Sequence, residues 1–324
     1  MKISVIIPVY NSESTIERLL DCLHEQKFKE FETLLIDDGS TDSSFRVCNE
    51  YSKSLGLGGK KVIKKVNGGP GSARNCGLDH SGGDYICFID ADDIIFPSYL
   101  DELFSEIVDS NADLVISGLV RESKNGKLIR QSDSKTQTYN KQNALERFFI
   151  YNHWMGPVNK IFRRDIIERN NLRFNEIYKK GEDCLFSCNY LVLSEKIRYL
   201  DKCLYCYKYN ENSITRSVNA KGKLLQSDMD NLKAHEEMLN LIKSMTQGII
   251  DSYKCRYMNT YMRIFVNLKA AGTKNKALEE KSIRYIKDNV MTYLRNPLID
   301  LKMKLAMVLF AFSPRVFARI YFTA

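Results

Sequence analysis

The sequence lacks several features that would assign it to other classes of protein. No uninterrupted apolar stretch reaches the ~18 residues that a membrane-spanning helix needs. Met1-Lys2 leads directly into a strand-like run, so we expect no signal peptide. Internal repeats and low-complexity tracts are also missing. With 44% hydrophobic and 27% charged residues among 324, the composition is that of a folded globular protein with one large domain or two modest ones.

Charge and cysteine usage narrow the range of partners and compartments. The formal net charge of +8 suits nucleic acid, anionic lipid or phosphorylated substrates. No recognisable nucleic-acid module accompanies it, so we expect no nucleic-acid partner. The nine cysteines are scattered through a chain too large to need a disulfide framework, which favours a reducing cytoplasm. Four thiols have spacings that could hold zinc, although the first two fit a helix core better: Cys184, Cys188, Cys203 and Cys206.

Short β-branched runs alternate with helical patterns through the first 120 residues. The predicted strands are residues 3–9, 33–36, 62–66, 85–89 and 113–120. This alternation predicts an α/β fold with a right-handed, mainly parallel twisted sheet flanked by helices. Residues 121–138 are polar and predict a hairpin or a mobile loop.

The character of the sequence changes near residue 220. Four helical patterns follow, near residues 223–244, 249–271, 277–295 and 301–321. We therefore expect one domain over residues 1–220 and a helical C-terminal region over residues 221–324.

Polar and glycine-rich segments follow four successive strands of the predicted sheet. They are Pro8-Val9-Tyr10-Asn11 with Glu13 close behind, Asp37-Asp38, the glycine-rich segment 69–74, and Asp90-Ala91-Asp92. Because ligands of such sheets collect at the carboxyl ends of the strands, these segments should line one site. Each alone has a simpler explanation as packing, a helix cap or a turn, but four together are harder to explain in that way.

Their combination suits a nucleotide. Tyr10 offers an aromatic face to a base, and Asp38 can accept a hydrogen bond from a base N–H. Arg74 adds a cation, and the glycines allow the backbone to approach a ligand closely. Asp92 can supply an oxygen ligand to Mg²⁺ or Mn²⁺, which would neutralise a diphosphate. The Gly-x-Gly-x-x-Gly fingerprint of a dinucleotide-binding domain is missing after the first strand.

Six blocks, in order, resemble the family 2 glycosyltransferases with the GT-A fold. They are SVIIPVYN at 4–11, DDGSTD at 37–42, GPGSARNCGL at 69–78, FIDADD at 88–93, NKIFRR at 159–164 and GED at 181–183. The resemblance covers about residues 1–217. It implies inverting, metal-dependent transfer of a sugar from a nucleotide-diphosphate donor, commonly a UDP-sugar. The implied acceptor is a hydroxyl of a glycan or lipid-linked glycan, as in bacterial surface polysaccharide synthesis.

The resemblance also implies residue roles. Asp183 matches the catalytic base, with Glu182 beside it, and Asp92 matches the metal ligand. The other matched positions are implied to bind the donor: Pro8, Tyr10, Asn11, Glu13, Asp38, Gly71, Arg74, Asp90, Ala91 and Arg216. Taken without the resemblance, Glu182-Asp183 is more readily explained as an acidic helix start that favours the helix dipole.

The acceptor side has weaker signals. Trp154, the single tryptophan, could stack on a sugar or pack beneath the loop before Lys160. Lys160 could approach the donor phosphates or pair with an acidic neighbour. Residues 291–324 carry five Lys or Arg and one Asp around short apolar runs, which predicts contact with an anionic membrane surface on the cytoplasmic side. A helix packed on its own domain or on a homodimer partner is the alternative.

Two other functions compete with glycosyl transfer. A nucleotidyltransferase also combines an α/β nucleotide site with acidic metal ligands. However, its glycine-rich basic loop usually follows the first strand directly, where Pro8-Val9-Tyr10-Asn11 stands here. A nucleotide-sugar-binding protein with a decayed site agrees less well with the joint presence of Asp38, Asp90, Asp92 and Asp183.

Overall fold

The computed structural model describes residues 2–54, 60–210, 221–270, 272 and 275–323. Its strands are β1 Ile3–Val9, β2 Phe31–Asp37, β3 Lys60–Lys64, β4 Tyr85–Phe88, β5 Ile94–Ile95, β6 Leu114–Glu122, β7 Leu128–Gln131, β8 Gln137–Asn140, β9 Lys160–Arg163 and β10 Lys196–Tyr207. Its helices are α1 Ile16–His24, α2 Ser44–Ser54, α3 Pro70–His80, α4 Tyr99–Ser110, α5 Lys141–Ile150, α6 Asn152–Met155, α7 Arg164–Arg169, α8 Glu182–Leu193, α9 Lys221–Ile242, α10 Gln247–Ala270, α11 Lys276–Arg295, α12 Leu301–Phe312 and α13 Pro314–Thr323.

The strands form one mixed sheet in the order β3-β2-β1-β4-β9-β6-β10-β5, with β7 on β6 and β8 on β10. The neighbours β3, β2, β1 and β4 are parallel, and β6 is parallel to β10. β9 runs antiparallel between β4 and β6. The mainly parallel α/β sheet predicted from the sequence is confirmed.

Strand β1 is buried on both faces and lies parallel to β2 and β4. Val5 and Ile7 belong to the core beneath α1, while Ile6 lies on the opposite face under α3. A Cβ at Gly77 would lie 2.3 Å from Ile6 Cγ2, so only glycine allows α3 this close to the strand. The parallel register aligns Val9 with Asp37, and the segments after β1, β2 and β4 therefore leave the sheet at the same edge.

Several elements differ from the sequence prediction. The third strand covers residues 60–64 instead of 62–66. The hairpin alternative for residues 121–138 is correct, since β6 and β7 pair around a turn with Gly126 at φ 74°. The single helix predicted over residues 301–321 is wrong: α12 ends at Phe312 and α13 begins at Pro314. Proline lacks an N–H and collides with the preceding turn, which explains the break.

The chain divides into two compact units. The first contains the described residues of Met1–Lys141, Met155–Ile177 and Glu182–Asn210, and the second contains those of Gln142–Trp154, Tyr178–Gly181 and Glu211–Ala324. In the second unit, tyrosines 253, 257 and 261 of α10 pack side by side, and the last two also contact Tyr285 of α11. The domain boundary expected near residue 220 stays a prediction. Across the described chain, no helix is both long and apolar enough to cross a membrane.

Candidate active site

The segment after β1 is tied to the turn after β2. Asn11 adopts φ 48°, and its N–H donates to Ser40 Oγ over 3.0 Å. The Glu13 carboxylate accepts from the Ser43 N–H at 2.9 Å, just before α2, and the Glu13 N–H donates to Asp42 Oδ2 at 3.1 Å. Burial would raise the pKa of Asp42, but hydrogen bonds from Ser44 and Glu13 hold it below its ordinary value. Asn11 and Glu13 thus shape the rim of the predicted donor pocket.

Tyr10 stands at this rim with half of its surface exposed to solvent, and Pro8 beside it is half-buried. The remaining hydrophobic residues of β1 are buried. An exposed aromatic ring immediately after a buried strand leaves a face available for a flat ligand.

Asp38 organises the glycine-rich segment after β3. Its buried carboxylate accepts from Lys65 Nζ at 2.8 Å, from the Gly68 N–H at 3.0 Å and from the Gly69 N–H at 2.7 Å. The Asn67 side chain donates to the Asp38 carbonyl at 2.9 Å. Lys65 and Asn67 were missed in the sequence, because neither falls in a recognised block. Asp38, predicted as a base-binding residue, therefore also fixes the loop that leads into α3.

Arg74 links two acidic segments at the centre of the site. Its buried guanidinium donates from Nη2 to Asp90 Oδ1 at 2.8 Å, and Nη1 lies 3.5 Å from Glu182 Oε1. The same group lies over the ring of Phe174, 5.4 Å from its centre. Burial acts to lower the pKa of Arg74, but the charges of Asp90 and Glu182 raise it. Arg74 is a permanent cation between two carboxylates.

The three aspartates after β4 have different surroundings. Asp93 is buried and accepts from Tyr205 Oη at 2.6 Å and from the Lys208 N–H at 2.9 Å. Burial, reinforced by the charges of Asp90 and Asp92, raises the pKa of Asp93 well above its ordinary value. Asp92 accepts from Asn210 Nδ2 at 2.8 Å, and burial also raises its pKa.

These contacts determine which oxygens remain for a cation. Both carboxylate oxygens of Asp93 accept hydrogen bonds, from Tyr205 and Lys208. Asp90 Oδ1 accepts from Arg74, and Asp92 Oδ2 accepts from Asn210. Nowhere in the described residues do three or more His, Cys, Asp or Glu side chains form a metal-binding group. Mg²⁺ sites that serve phosphates commonly use one or two carboxylates plus phosphate oxygens and water. Asp90 and Asp92 would fit a divalent cation whose remaining ligands come from phosphate oxygens and water.

The acidic pair at the start of α8 lies beside Arg74. Glu182 is buried, and burial together with the charge of Asp183 raises its pKa, against the opposing effect of Arg74. Asp183 is half-buried and its Oδ1 accepts from the Cys184 N–H at 2.7 Å. A Cβ at Gly71 would lie 3.2 Å from Glu182 Cγ, so α3 and α8 approach each other closely there.

The two residues predicted on the acceptor side, Lys160 and Trp154, are both buried. Lys160 is completely buried on β9, and its Nζ donates to Asn159 Oδ1 at 3.1 Å and to the Val158 carbonyl at 3.3 Å. The indole of Trp154 is also completely buried, which favours a packing role. Arg216, which was predicted to bind the donor, lies outside the described residues. The roles of these three residues stay predictions.

A mixed α/β sheet of this order, with an acidic strand end at its carboxyl edge, is a GT-A-like fold. Residues 4–170, just over half of the chain, match the model of glycosyl transferase family 2. The chain belongs to that family.

Relatives and solved structures agree with this assignment. The chain is 32% identical over 221 residues to the uncharacterized glycosyltransferase EpsJ of Bacillus subtilis, covering 66% of this chain and 62% of EpsJ. It is 33% identical over 211 residues to the poly(ribitol-phosphate) beta-N-acetylglucosaminyltransferase TarS of Staphylococcus aureus, covering 64% and 35%. The crystal structure of S. aureus TarS 1-349 in complex with UDP-GlcNAc aligns with a TM-score of 0.71 at 25% identity, over 98% of this chain and 89% of that chain. The matches cover 62%, 32% and 35% of the length of the first three curated relatives.

Proposed function

We propose that this protein is an inverting glycosyltransferase that moves a sugar from a UDP-linked donor to a hydroxyl of a polymeric or lipid-linked glycan. The observation that carries the proposal is the junction at Arg74. One guanidinium holds the acidic strand end at Asp90 and the acidic helix start at Glu182 in one site. A donor diphosphate bound beside Asp90 and a proton acceptor at the start of α8 would then both lie close to a single cation.

The donor would enter along the edge formed by β1, β2 and β4. The exposed ring of Tyr10 would stack on the base, and Asp38 would border it from the neighbouring strand end. Asp90 and Asp92 would lie at the diphosphate. When bound at Asp92, a Mg²⁺ or Mn²⁺ ion would neutralise charge on the leaving diphosphate.

Two carboxylates in the first turn of α8 are candidate bases, Glu182 and Asp183. Glu182 is buried, and its carboxylate faces the guanidinium of Arg74. Asp183 is partly accessible, and its Oδ1 accepts from the Cys184 N–H in the first turn of α8. A base must reach the proton that it removes, so we assign Asp183 to accept the proton of the attacking hydroxyl. Glu182 then fixes the helix start through Arg74.

The nature of the acceptor is inferred from a relative. TarS is named for transfer of N-acetylglucosamine to poly(ribitol-phosphate). The family match supports a hydroxyl-bearing surface polymer as acceptor here, and a panel of nucleotide-sugars and glycan acceptors would identify the pair.

Two measurements test the proposal. Asp183→Asn should keep UDP affinity within about twofold but reduce transfer by at least a hundredfold, in the range for loss of a general base. Asp165→Asn, at the exposed start of α7, is the matched control and should behave like the wild type. Full activity of Asp183→Asn would remove the base assignment.

UDP should also raise the melting temperature more with Mn²⁺ than with chelator, and an equal shift would contradict a metal-assisted site.

We also propose that the C-terminal helices contact an anionic membrane surface. On α12 and α13, Leu305, Phe312 and Ile320 are at least half exposed, and basic residues such as Lys302 and Arg315 lie on the same helices. Apolar and basic residues in that combination favour an interfacial site. Leu305→Ser with Phe312→Ser should reduce pelleting with phosphatidylglycerol vesicles, whereas unchanged pelleting would contradict the proposal.

A further inference from the structure

Residues 173–176 lie along one face of α3. Their contacts fall on three helix positions that are spaced four residues apart: Gly71, Asn75 and Asp79. Positions with that spacing share one face of a helix. At one end of the segment Arg173 Nη2 donates to Asp79 Oδ1 at 3.0 Å, on the surface. At the other end the Asn175 carbonyl oxygen would lie 3.5 Å from a Cβ at Gly71, beside the candidate active site.

Asn75 makes the central contact and holds the backbone of Phe174 at two points. Its Oδ1 accepts from the Phe174 N–H at 2.8 Å, and its Nδ2 donates to the Phe174 carbonyl at 2.9 Å. Nδ2 also donates to Glu176 Oε1 at 2.8 Å. The side chain is buried, and its amide uses both donor and acceptor. Among side chains of this length only asparagine offers both, so the amide determines where Phe174 lies.

The ring of Phe174 forms a platform for Arg74. It is buried and stacks on Phe186 of α8, with ring centres 4.0 Å apart and an interplanar angle of 5°. Phe88 of β4 meets it edge-on at 5.3 Å. The Arg74 guanidinium carbon lies over the same ring, 5.4 Å from its centre. A guanidinium is attracted to an aromatic face both by its charge and by its flat shape.

Hydrogen bonds alone do not fix this guanidinium. Nη2 donates to Asp90 Oδ1 at 2.8 Å, but within the described residues neither Nε nor Nη1 donates a hydrogen bond. A group held by one bond can still turn about that bond, and contact with a flat ring restricts the turn. The position of Phe174 therefore bears on how the guanidinium faces Asp90 and Glu182.

We propose that Asn75 is a positioning residue that holds the ring of Phe174 against Arg74 and so keeps the guanidinium aligned for the donor diphosphate. This inference rests on the proposed donor site beside Arg74 and Asp90. Asn75 is buried and bonded to Phe174, so its effect on the donor passes through the ring and the guanidinium.

A purely structural role for Asn75 would have a different signature. If Asn75 only anchored residues 173–176 to α3, its loss would lower the melting temperature and weaken UDP binding whatever residue stands at position 74. If Asn75 positions the guanidinium, the loss of UDP affinity requires an arginine at that position.

The test is a double-mutant cycle in the full chain, with Asn75→Ala and Arg74→Lys made singly and together. Isothermal titration with UDP and thermal unfolding are the readouts. With Arg74 present, Asn75→Ala should weaken UDP binding about fivefold, the size of one partly buried cation–π contact. In the Arg74→Lys background it should weaken binding by less than about twofold, because the planar group that Phe174 aligns is gone. The melting temperature should fall by a similar amount in both backgrounds.

Two further variants support the cycle. Phe174→Leu removes the aromatic face but keeps the backbone groups that bond to Asn75, and it should also weaken UDP binding about fivefold. It decides the matter if Asn75→Ala does not fold. Asn170→Ala is the control, since Asn170 Nδ2 donates to the Ile166 carbonyl at 2.8 Å at the end of α7. It should leave UDP affinity unchanged in both backgrounds.

The possible outcomes separate this inference from the proposed function. Equal weakening of UDP binding by Asn75→Ala in both backgrounds overturns the inference, and so does wild-type affinity in Asn75→Ala or in Phe174→Leu. If the wild type does not bind UDP, or if Arg74→Lys binds it as tightly as the wild type, the proposed donor site fails and this inference fails with it. If Arg74→Lys binds UDP more weakly and the two substitutions are additive, only the present inference fails.

Discussion

Arg74 Nη2 donates to Asp90 Oδ1 over 2.8 Å, and this bond joins α3 to the acidic end of β4. The guanidinium is buried, while the Asp90 side chain is 30% exposed. One end of the ion pair is therefore held by the protein interior and the other is open to a ligand. A planar guanidinium can face Asp90 and Glu182 together, which a single ammonium cannot reproduce.

Arg74→Lys should consequently behave as a damaging substitution. We expect UDP affinity to fall about tenfold, corresponding to about 1.4 kcal/mol, and the melting temperature to fall as Glu182 loses its cation. Isothermal titration and thermal unfolding measure the two effects. Arg46→Lys, in the exposed pair with Glu50 on α2, is the control and should change neither. If Arg74→Lys kept the wild-type UDP affinity, the planar guanidinium would not be needed for UDP binding.

Substitution by alanine should have different effects at two glycines of α3, Gly71 and Gly77. A Cβ at Gly77 meets Ile6 Cγ2 at 2.3 Å, so Gly77→Ala should destabilise the protein by about 1–3 kcal/mol through overpacking. At Gly71 the nearest atoms, on Glu182 and Phe174, are 3.2 and 3.3 Å away and need only move slightly. Gly71→Ala should therefore lower kcat, while it lowers the free energy of unfolding less than Gly77→Ala does. Urea unfolding and steady-state rates distinguish the two, and equal loss of stability at both positions would contradict the contrast.

A buried ion pair in the second unit should contribute strongly to stability. Lys180 Nζ lies 3.2 Å from Asp228 Oδ1, and Asp228 Oδ2 accepts from Asn267 at 3.1 Å. Since removing one partner leaves a buried charge, Asp228→Asn should lower the free energy of unfolding by about 3 kcal/mol. The exposed Lys276–Glu280 pair on α11 provides the control, and Glu280→Gln should cost less than about 0.5 kcal/mol. Similar losses in urea unfolding of both variants would refute this ranking.

His235 should make the protein sensitive to acid. It is buried on α9 with Nε2 3.0 Å from Thr260 Oγ1, and burial, aided by Arg256 and Arg263, lowers its pKa to about 3. Between pH 6.5 and 3 the unfolded chain binds a proton that the folded chain does not, so stability falls as pH falls. From pH 7.5 to 5, His235 should account for about 2 kcal/mol of lost stability.

Replacing this histidine tests the assignment. His235→Leu should lose about 2 kcal/mol less than the wild type over the same pH interval, as measured by urea unfolding at both pH values. The comparison concerns the difference between two pH values, so any constant effect of the substitution cancels. An identical loss in both proteins would show that His235 is not the acid-sensitive group.

The edge of the sheet at which the proposed site lies follows from local patterns in the sequence. Alternating strands and helices place the ends of β1, β2 and β4 at one edge, and the residues at those ends are polar. Arg74 and Glu182, 108 positions apart in the chain, meet only because α3 and α8 pack on the same sheet, and no periodicity reports such a contact. The family resemblance implied only that both residues belong to one site, not that they are in contact.

Other features depend on long-range pairing that the sequence does not display. β9 has four residues and runs antiparallel between β4 and β6, so the alternation of strands and helices gives no sign of it. Its insertion determines that Lys160 is buried. Lys65 and Asn67 were missed for a similar reason, since their partner Asp38 lies at the end of a different strand. The break at Pro314, in contrast, could have been predicted from the proline alone.

The bonds that Asp38 makes to Gly68 and Gly69 have a consequence for how an anion can be held. In many nucleotide-binding loops, free glycine amides form a concave nest for phosphate oxygens. Here the amide hydrogens of Gly68 and Gly69 point to a carboxylate of the protein itself. An anion could reach those two amides only by displacing Asp38. In the proposed function, neutralising a diphosphate would therefore fall to side-chain cations and the proposed metal ion.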